Sequence, residues 1–409
     1  MNYPQQLYVF ETGLRLVFVK TPGFHTARFK LAVEVGSEDE KKPYGLAHLL
    51  EHSTFKGTDK LSQEQISEAF NALSAEVDAS TSSEFTVYKA NFPKRNIKQV
   101  LSLYASLLKD SIFDENELQK EKQVIIEEIL MHEDIPDQLA FDNLVKCMYS
   151  DCGIGNDIAG EVEFLSGVTS RDVKKFHDQY YHSKNFLVAV TGDFEFDEIK
   201  QLVNELYSKP FAKTAGIKCK NWSMASKVKP ITTFVKKEIN QSNILLGFRS
   251  LPYENYDRIK LGLIGFILGG SMSSRLFRKI RNDLSLCYSV FAFDMNYKYN
   301  GFFGISLATS ASNQEKAINA VNDEISKVLK YGVTDEEFEV AKNLSIDKHL
   351  MLNDYPNANL SYLSYTGRVQ DDKEILEFIK SVTKEQAIAC FRQYISLENE
   401  FVSIVSPKK

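Results

Sequence analysis

The sequence lacks the features that mark a membrane or secreted protein. No stretch of its 409 residues approaches the ~20 consecutive apolar residues that a membrane-spanning helix needs. Residues 1–7 show neither the basic start and apolar stretch of a secretory signal nor the arginine-rich pattern of a transit peptide. We therefore expect a cytoplasmic protein without a membrane span.

Cysteine is scarce and the net charge is small. The five cysteines are odd in number and scattered over the chain, which indicates reduced thiols rather than a disulfide framework. Cys147 and Cys152 are close together, but no second Cys or His pair stands nearby at a ligand spacing, so we interpret them as structural thiols. The net charge of −6 gives no reason to expect nucleic acid as a partner.

The chain is long enough for two domains, and its two halves resemble each other. Residues 168–188 match residues 382–402 at an offset of 214, sharing Val-Thr, Gln-Tyr, Asn and Val at the same spacing. Residues 117–136 match residues 337–356 at an offset of 220, sharing Glu, Lys, Leu-Met, Asp and Pro. A loop insertion of about six residues accounts for the two offsets. The matches predict a duplicated unit.

The predicted fold class is α+β, with two similar α/β-sandwich domains whose helices pack on a mixed, mostly antiparallel sheet. We expect an N-terminal domain at residues 1–207 and a C-terminal domain at residues 238–409. The linker between them, residues 208–237, contains eight lysines and no acidic residue, and its proline and glycine content is typical of a surface connection. Hydrophobic patterning predicts strands at 7–10, 14–19, 27–35 and 84–92, and helices at 45–55, 62–74, 95–111 and 114–131.

Residues 48–52 read His-Leu-Leu-Glu-His, the inverted form of the commoner H-E-x-x-H zinc motif. On a helix, His48 and His52 lie one turn apart, and Glu51 falls on the same face. Two such imidazoles can hold zinc, which lowers the pKa of a bound water to about 7, and the adjacent carboxylate can take its proton. The alternative is a buried helix in which His48 is a hydrogen-bonded core residue.

A third ligand would decide between these interpretations, and residues 121–129 offer candidates. Glu121 and Glu128 are seven residues apart and share a helix face, whereas Glu127 points about 100° away. A carboxylate among the aliphatic residues of this segment needs a partner, because an unpaired buried charge is very costly. We assign Glu128 as the zinc ligand, Glu121 as its supporting residue and Glu127 to solvent. His132 is interpreted as a surface or supporting histidine.

The internal repeat predicts no metal site in the second half. At the offset of 220, Lys348 stands at the position of Glu128, and Ala341 stands at the position of Glu121. The second half contains no H-x-x-E-H motif, and the segment that corresponds to the motif helix, residues 261–269, is apolar. We therefore expect one zinc ion per chain, in a site carried by one copy of a duplicated scaffold.

Four segments of the chain together resemble the pitrilysin and mitochondrial processing peptidase family of zinc peptidases. They are residues 45–58, 79–88, 121–129 and 273–288. Residues 79–88 are similar to the family's substrate-binding edge strand, although Asp78 precedes them where Asn is usual and Ser80 is smaller than is common. The resemblance extends over essentially the whole chain.

The resemblance implies a zinc endopeptidase that cleaves oligopeptides or unfolded segments. Its implied residues are the ligands His48, His52 and Glu128, the general base Glu51 and the supporting residue Glu121. The substrate would add as a strand along residues 84–92, so that backbone groups carry most of the recognition.

In the second half, the resemblance implies that Arg281 and Tyr288 hold the substrate backbone and the developing oxyanion. Without the resemblance, Arg281 would be interpreted as a surface ion-pair residue and Tyr288 as a core aromatic residue. Ser273 and Ser274 are assigned only a helix-capping role. Relatives with one pair of domains are commonly dimers in which the Arg/Tyr pair of one subunit completes the zinc site of the other. Because this chain has both parts, a homodimer is implied.

Three other functions are compatible with the sequence. A non-catalytic scaffold subunit is one, although such relatives typically lose zinc-site residues and this chain has all five. A processing enzyme dedicated to one precursor is the second. A metal-binding module, which would hold zinc without cleaving peptides, is the third.

Overall fold

The computed structural model describes residues 3, 5–41, 45–213, 215–219, 225, 228–353 and 372–408. These residues form two compact units. The first contains the described residues up to 129, those from 156 to 219 and residues 352–353, and the second contains residues 130–155, 225, 228–351 and 372–408. Parts of the predicted linker, residues 214, 220–224 and 226–227, lie outside the described residues.

The described residues form eleven strands and thirteen α-helices. In chain order, the strands are β1 (Gln5–Val9), β2 (Arg15–Lys20), β3 (Thr26–Val33), β4 (Glu76–Thr81), β5 (Thr86–Pro93), β6 (Phe186–Gly192), β7 (Thr232–Lys237), β8 (Ser242–Arg249), β9 (Cys287–Asn296), β10 (Gly301–Thr309) and β11 (Phe401–Pro407). The helices are α1 (Leu46–Ser53), α2 (Gln63–Ala72), α3 (Ile97–Asp110), α4 (Glu115–Glu133), α5 (Pro136–Met148), α6 (Val162–Gly167), α7 (Ser170–Tyr180), α8 (Phe196–Val203), α9 (Asp257–Gly269), α10 (Gln314–Tyr331), α11 (Asp335–Asn353), α12 (Asp372–Ser381) and α13 (Lys384–Tyr394).

The first unit contains a six-stranded sheet in the order β1-β2-β6-β3-β5-β4. The pair β2/β6 is parallel, and the other four pairs are antiparallel. Residue alternation decides which face is buried. Phe29 on β3 and Tyr88 on β5 belong to the buried core beneath the helices, together with Leu101 of α3. Their neighbours Arg28 and Lys30 are only partly buried, on the opposite face.

The second unit contains a five-stranded sheet in the order β7-β11-β8-β10-β9. This order repeats β2-β6-β3-β5-β4 of the first sheet, and the single parallel pair, β7/β11, is in the equivalent place. The predicted α+β duplication with mixed, mostly antiparallel sheets is therefore confirmed.

Each of the two units contains an equivalent lysine contact, at positions related by the two sequence offsets. The buried ammonium group of Lys122 on α4 donates to the carbonyl of Val168, where α6 ends. Lys342 on α11 donates to the carbonyl of Val382, where α12 ends, at 2.9 Å. The lysines are related by the offset of 220 and the valines by 214. Each lysine thus ties its long helix to the start of the following helix.

The domain boundary differs from the predicted one because of α5. The apolar side chains of α5 pack against the second sheet, in a cluster that includes Leu144, Met148, Leu245 and Phe401. The helix lies so close to β8 that a side chain at Gly247 would meet the Met148 methyl group at 2.4 Å. Residues 1–207 therefore do not close as one unit. The predicted linker 208–237 also differs, because its last residues form β7, which pairs with β11.

The strand predicted to bind substrate is not at the edge of the sheet. Strand β5, which covers most of residues 84–92, pairs with β3 on one side and β4 on the other. Its backbone groups are therefore occupied, and the prediction of strand addition along residues 84–92 was wrong. Residues 79–88 form the end of β4, a turn and the start of β5. Strand β4, next to β5, lies at one edge of the first sheet, and β1 lies at the other.

No helix in the described part of the chain is long and apolar enough to cross a membrane. The five cysteines are free thiols.

Candidate metal centre

Helix α1 carries the H-x-x-E-H motif, and its start is fixed by a buried carboxylate. Gly45 precedes the helix with φ of +122°, a conformation that side chains disfavour. The Glu40 carboxylate accepts hydrogen bonds from the backbone N–H groups of Gly45, Leu46 and Ala47, at 2.5, 3.0 and 2.7 Å. Burial raises the pKa of Glu40 to about 7, although the three hydrogen bonds act in the opposite direction. Glu40 thus caps the first turn of α1 and anchors it.

The motif histidines converge with Glu128 of α4. The Nε2 atoms of His48 and His52 are 3.2 Å apart. The Glu128 carboxylate lies 3.8 Å from Nε2 of His48 and 3.7 Å from Nε2 of His52. One donor atom from each residue lies within 4.8 Å of the other two, so the three form a group that could hold a metal ion.

The donor set fits zinc. Zinc–nitrogen and zinc–oxygen bonds of ~2.0–2.1 Å in a tetrahedral arrangement place neighbouring ligand atoms roughly 3.3 Å apart. The three observed separations, 3.2, 3.7 and 3.8 Å, are close to this value. Two imidazoles and one carboxylate leave one tetrahedral position for water or substrate, as in catalytic zinc sites.

Glu121 lies behind His52. It shares one face of α4 with Glu128. Nδ1 of His52 donates to Glu121 at 2.8 Å, and the ammonium group of Lys56 contacts the other carboxylate oxygen at 2.5 Å. Burial acts to lower the pKa of His52, but the Glu121 hydrogen bond and nearby carboxylates outweigh it and raise that pKa. The pKa of Glu121 is lowered, because its bonds to His52 and Lys56 outweigh its burial. This arrangement leaves Nε2 of His52 as the ring nitrogen that is available to bind a metal.

Glu51 lies beside the three donors and is largely buried, with 7% of its surface exposed. Burial raises its pKa, against the opposing influence of a hydrogen bond from Thr81 and the charge of His52. The Thr81 hydroxyl donates to the Glu51 carboxylate at 2.7 Å. A buried carboxylate with a raised pKa is suited to accept a proton.

The remaining predicted residues fall into two groups. Glu127 is exposed and His132 is partly buried, whereas α9, the helix that corresponds to α1, belongs to an apolar core. In the second unit, the guanidinium carbon of Arg281 lies 4.9 Å from the Tyr288 ring centre, within cation–π range. Tyr288 is the second residue of edge strand β9 and is 79% exposed, so it is not a core aromatic residue.

Both halves of the chain match family models. Residues 15–162 match the model described as insulinase, peptidase family M16. Residues 167–345 match the model described as the peptidase M16 inactive domain. The three candidate metal ligands all lie in the first match, and the half without an H-x-x-E-H motif contains most of the second.

Two curated relatives extend these matches over nearly the full length. A protein of Bacillus subtilis named as an uncharacterized zinc protease is 28% identical over 406 residues, covering 98% of each chain. A Rickettsia felis protein named as an uncharacterized zinc protease is 30% identical over 385 residues, covering 92% of each. The chain belongs to peptidase family M16. The family membership that the sequence motifs predicted is thus confirmed.

Solved structures show that the M16 fold extends over the whole chain. A Pseudomonas fluorescens structure described as a peptidase M16 inactive domain superposes with a TM-score of 0.91, at 19% identity, covering 99% of this chain and 98% of that one. A protease from Helicobacter pylori superposes with a TM-score of 0.90, also at 19% identity, with complete coverage of both chains.

Three residues that contact the candidate site or anchor its helix were not predicted from the sequence. Thr81 and Lys56 lie in segments that the family resemblance included, but their partners are distant in sequence and no local pattern reveals them. Glu40 precedes α1 by six residues, farther than an ordinary capping signal extends. The only available signal is general: the first backbone N–H groups of any helix lack partners within the helix, so a nearby carboxylate is a candidate cap.

Proposed function

We propose that this protein is a zinc-dependent endopeptidase that hydrolyses peptide bonds in oligopeptides or unfolded segments. The convergence of His48, His52 and Glu128 within 4.8 Å, with Glu51 beside them, is the observation that carries the proposal. Membership of peptidase family M16 and the relatives named as zinc proteases support it.

Each side chain has a defined task in this proposal. His48, His52 and Glu128 would hold the ion, and Glu121 fixes the orientation of His52 through its Nδ1 hydrogen. Bound zinc supplies a Lewis acid that polarises the scissile carbonyl and acidifies water. Glu51 removes the proton from the attacking water and returns it to the leaving amine.

We propose that the peptide adds to the free edge of β4. The β4 edge ends at Thr81, whose hydroxyl contacts Glu51, so a peptide along β4 would reach the base. Recognition through backbone hydrogen bonds is compatible with many side chains and favours segments that can extend. Arg281 and Tyr288 are assigned the role of holding the substrate backbone, which makes the second unit a substrate-binding domain without a metal.

We further propose that the active form is a homodimer in which the Arg281/Tyr288 pair of one subunit completes the zinc site of the other. Since each chain contains both the zinc motif and this pair, two identical chains are sufficient. We expect the mass of a dimer by sedimentation across the active concentration range. Co-expressing Glu51→Gln chains with Arg281→Ala chains should restore about a quarter of the wild-type activity, since half of the dimers are mixed and each mixed dimer has one complete site. A monomer mass at active concentrations contradicts this arrangement.

Metal removal tests the proposed function. Treatment with a zinc chelator should abolish hydrolysis of a mixture of unstructured peptides, and one equivalent of zinc per chain should restore it. Fragments identified by mass spectrometry should arise from internal cleavage. Zinc binding without any cleavage would favour a metal-binding module or a scaffold subunit instead. Cleavage of one precursor alone would indicate a dedicated processing enzyme.

A further inference from the structure

The side chain of Thr81 connects the edge strand to the candidate general base. Along β4, Val77, Ala79 and Thr81 are partly buried, while the residues between them are exposed. Thr81 therefore lies on the helix-covered face, and its hydroxyl donates to Glu51 at 2.7 Å. Within the described part of the chain, no other side chain donates a hydrogen bond to this carboxylate.

This contact restricts the rotation of the Glu51 side chain. Glutamate has several rotatable bonds, whereas threonine is branched at Cβ and stiff about χ1. A threonine hydroxyl on a strand is consequently a fixed point. A hydrogen bond to an ionised carboxylate is also about twice as strong as one between neutral groups. The direction in which Glu51 points therefore depends on where β4 lies.

On the side of β4 away from β5, no strand of the described part of the chain pairs with it. In the described sheet, β4 pairs only with β5, and Thr81 is opposite Thr86 at the last paired position. The turn that follows is held by hydrogen bonds from the N–H groups of Ser37 and Glu38 to the carbonyls of Ser82 and Ser83. A peptide that pairs along β4 would hold the strand from its second side and reduce its motion.

We propose that Thr81 is a positioning residue, through which the orientation of the Glu51 carboxylate depends on peptide pairing along β4. The inference rests on the proposed peptidase function. Binding energy from peptide residues far from the scissile bond then contributes to kcat, because it orders the base as well as holding the substrate. Peptides that reach only the residues next to the scissile bond are hydrolysed slowly even at saturation.

The test compares wild type, Thr81→Val and Thr81→Ser on two peptides with the same scissile sequence. One peptide is long enough to pair with all six residues of β4, and the other stops beside the scissile bond. In wild type, we expect a higher kcat for the long peptide. We expect T81V to lower kcat for the long peptide by roughly tenfold, the effect of losing one charge-assisted hydrogen bond, and to remove most of the length dependence. T81S keeps the hydroxyl but lacks the branch at Cβ, so it should restore a large part of both.

Three further measurements separate positioning from other roles. The zinc content and melting temperature of T81V should match those of wild type. The dissociation constant of the long peptide, measured in the Glu51→Gln background, should not change when Thr81→Val is added. Thr232→Val, which changes an exposed threonine on a strand of the second sheet, should leave kcat unchanged.

The opposite outcomes overturn the inference in distinct ways. Unchanged kcat and length dependence in T81V would remove the positioning role. A larger dissociation constant with unchanged kcat would make Thr81 a binding residue. Loss of zinc or of stability in proportion to the loss of kcat would make it a structural residue. If wild type hydrolyses neither peptide, the proposed peptidase function itself fails.

Discussion

Replacing Glu51 by Gln is expected to lower kcat by roughly 10²–10⁴-fold, the usual contribution of general acid–base catalysis, without releasing zinc. The amide has nearly the shape of the carboxylate and can still accept the Thr81 hydrogen bond, so the packing around α1 should persist. It cannot accept a proton from the attacking water. Glu51 is also distinct from the three donor atoms that could hold the metal.

The test measures peptide hydrolysis and zinc content on the same preparations of E51Q. Glu127→Gln is the matched control, because Glu127 is an exposed glutamate on the helix that carries Glu128. This control should retain both activity and zinc. Wild-type turnover by zinc-loaded E51Q would remove the proposed mechanism, whereas loss of zinc from E51Q would assign Glu51 to metal binding.

The second large effect is expected for Glu128→Ala, which should lower zinc affinity by more than about 100-fold and abolish hydrolysis. Loss of a residue behind a ligand already weakens metal sites by about 10–100-fold, and Glu128 supplies a direct donor. Its carboxylate is the only one of the three proposed ligands outside α1. Without it, two imidazoles from one helix would have to hold the ion alone.

The internal duplication supplies the control for E128A. Lys348 is the residue at the equivalent place on α11, so Lys348→Ala removes a side chain from the same kind of helix without touching the candidate site. Zinc titration monitored by a competing chelator should give wild-type affinity for K348A and weakened affinity for E128A. Equal affinity in E128A and wild type would show that Glu128 is not a ligand.

The fold was predictable where sequence patterns are local or repeated. The matched blocks at offsets of 214 and 220 identified the duplication, and helix periodicity located α1 and α4 within a few residues. Strand pairing was not predictable in the same way. Whether β4 or β5 lies at the edge depends on partners such as β3, some 50 residues away in sequence. The position of α5 was missed for a similar reason, because its partners are strands made much later in the chain.

The candidate site shows the same division between local and distant information. The shared helix face of His48, Glu51 and His52 follows from helix geometry, and Glu128 was proposed because it shares a face of α4 with Glu121. Contacts between distant segments were not predicted. The clearest case is Thr81, whose hydroxyl donates a hydrogen bond to Glu51, 30 positions earlier. No periodicity links a strand residue to a helix residue in this way, so such contacts require the tertiary structure.

The packing of α5 constrains how the chain can acquire its structure on the ribosome. Leu144 of α5 and Phe401 of β11 belong to one buried cluster, yet 257 positions separate them in the sequence. The apolar side of α5 therefore emerges in the nascent chain long before its last partner has been synthesised. Exposed apolar surface in an incomplete chain promotes aggregation and recruits chaperones. A fragment that stops after β6 would retain this uncovered helix, so the half that carries the candidate metal centre is poorly suited to production on its own.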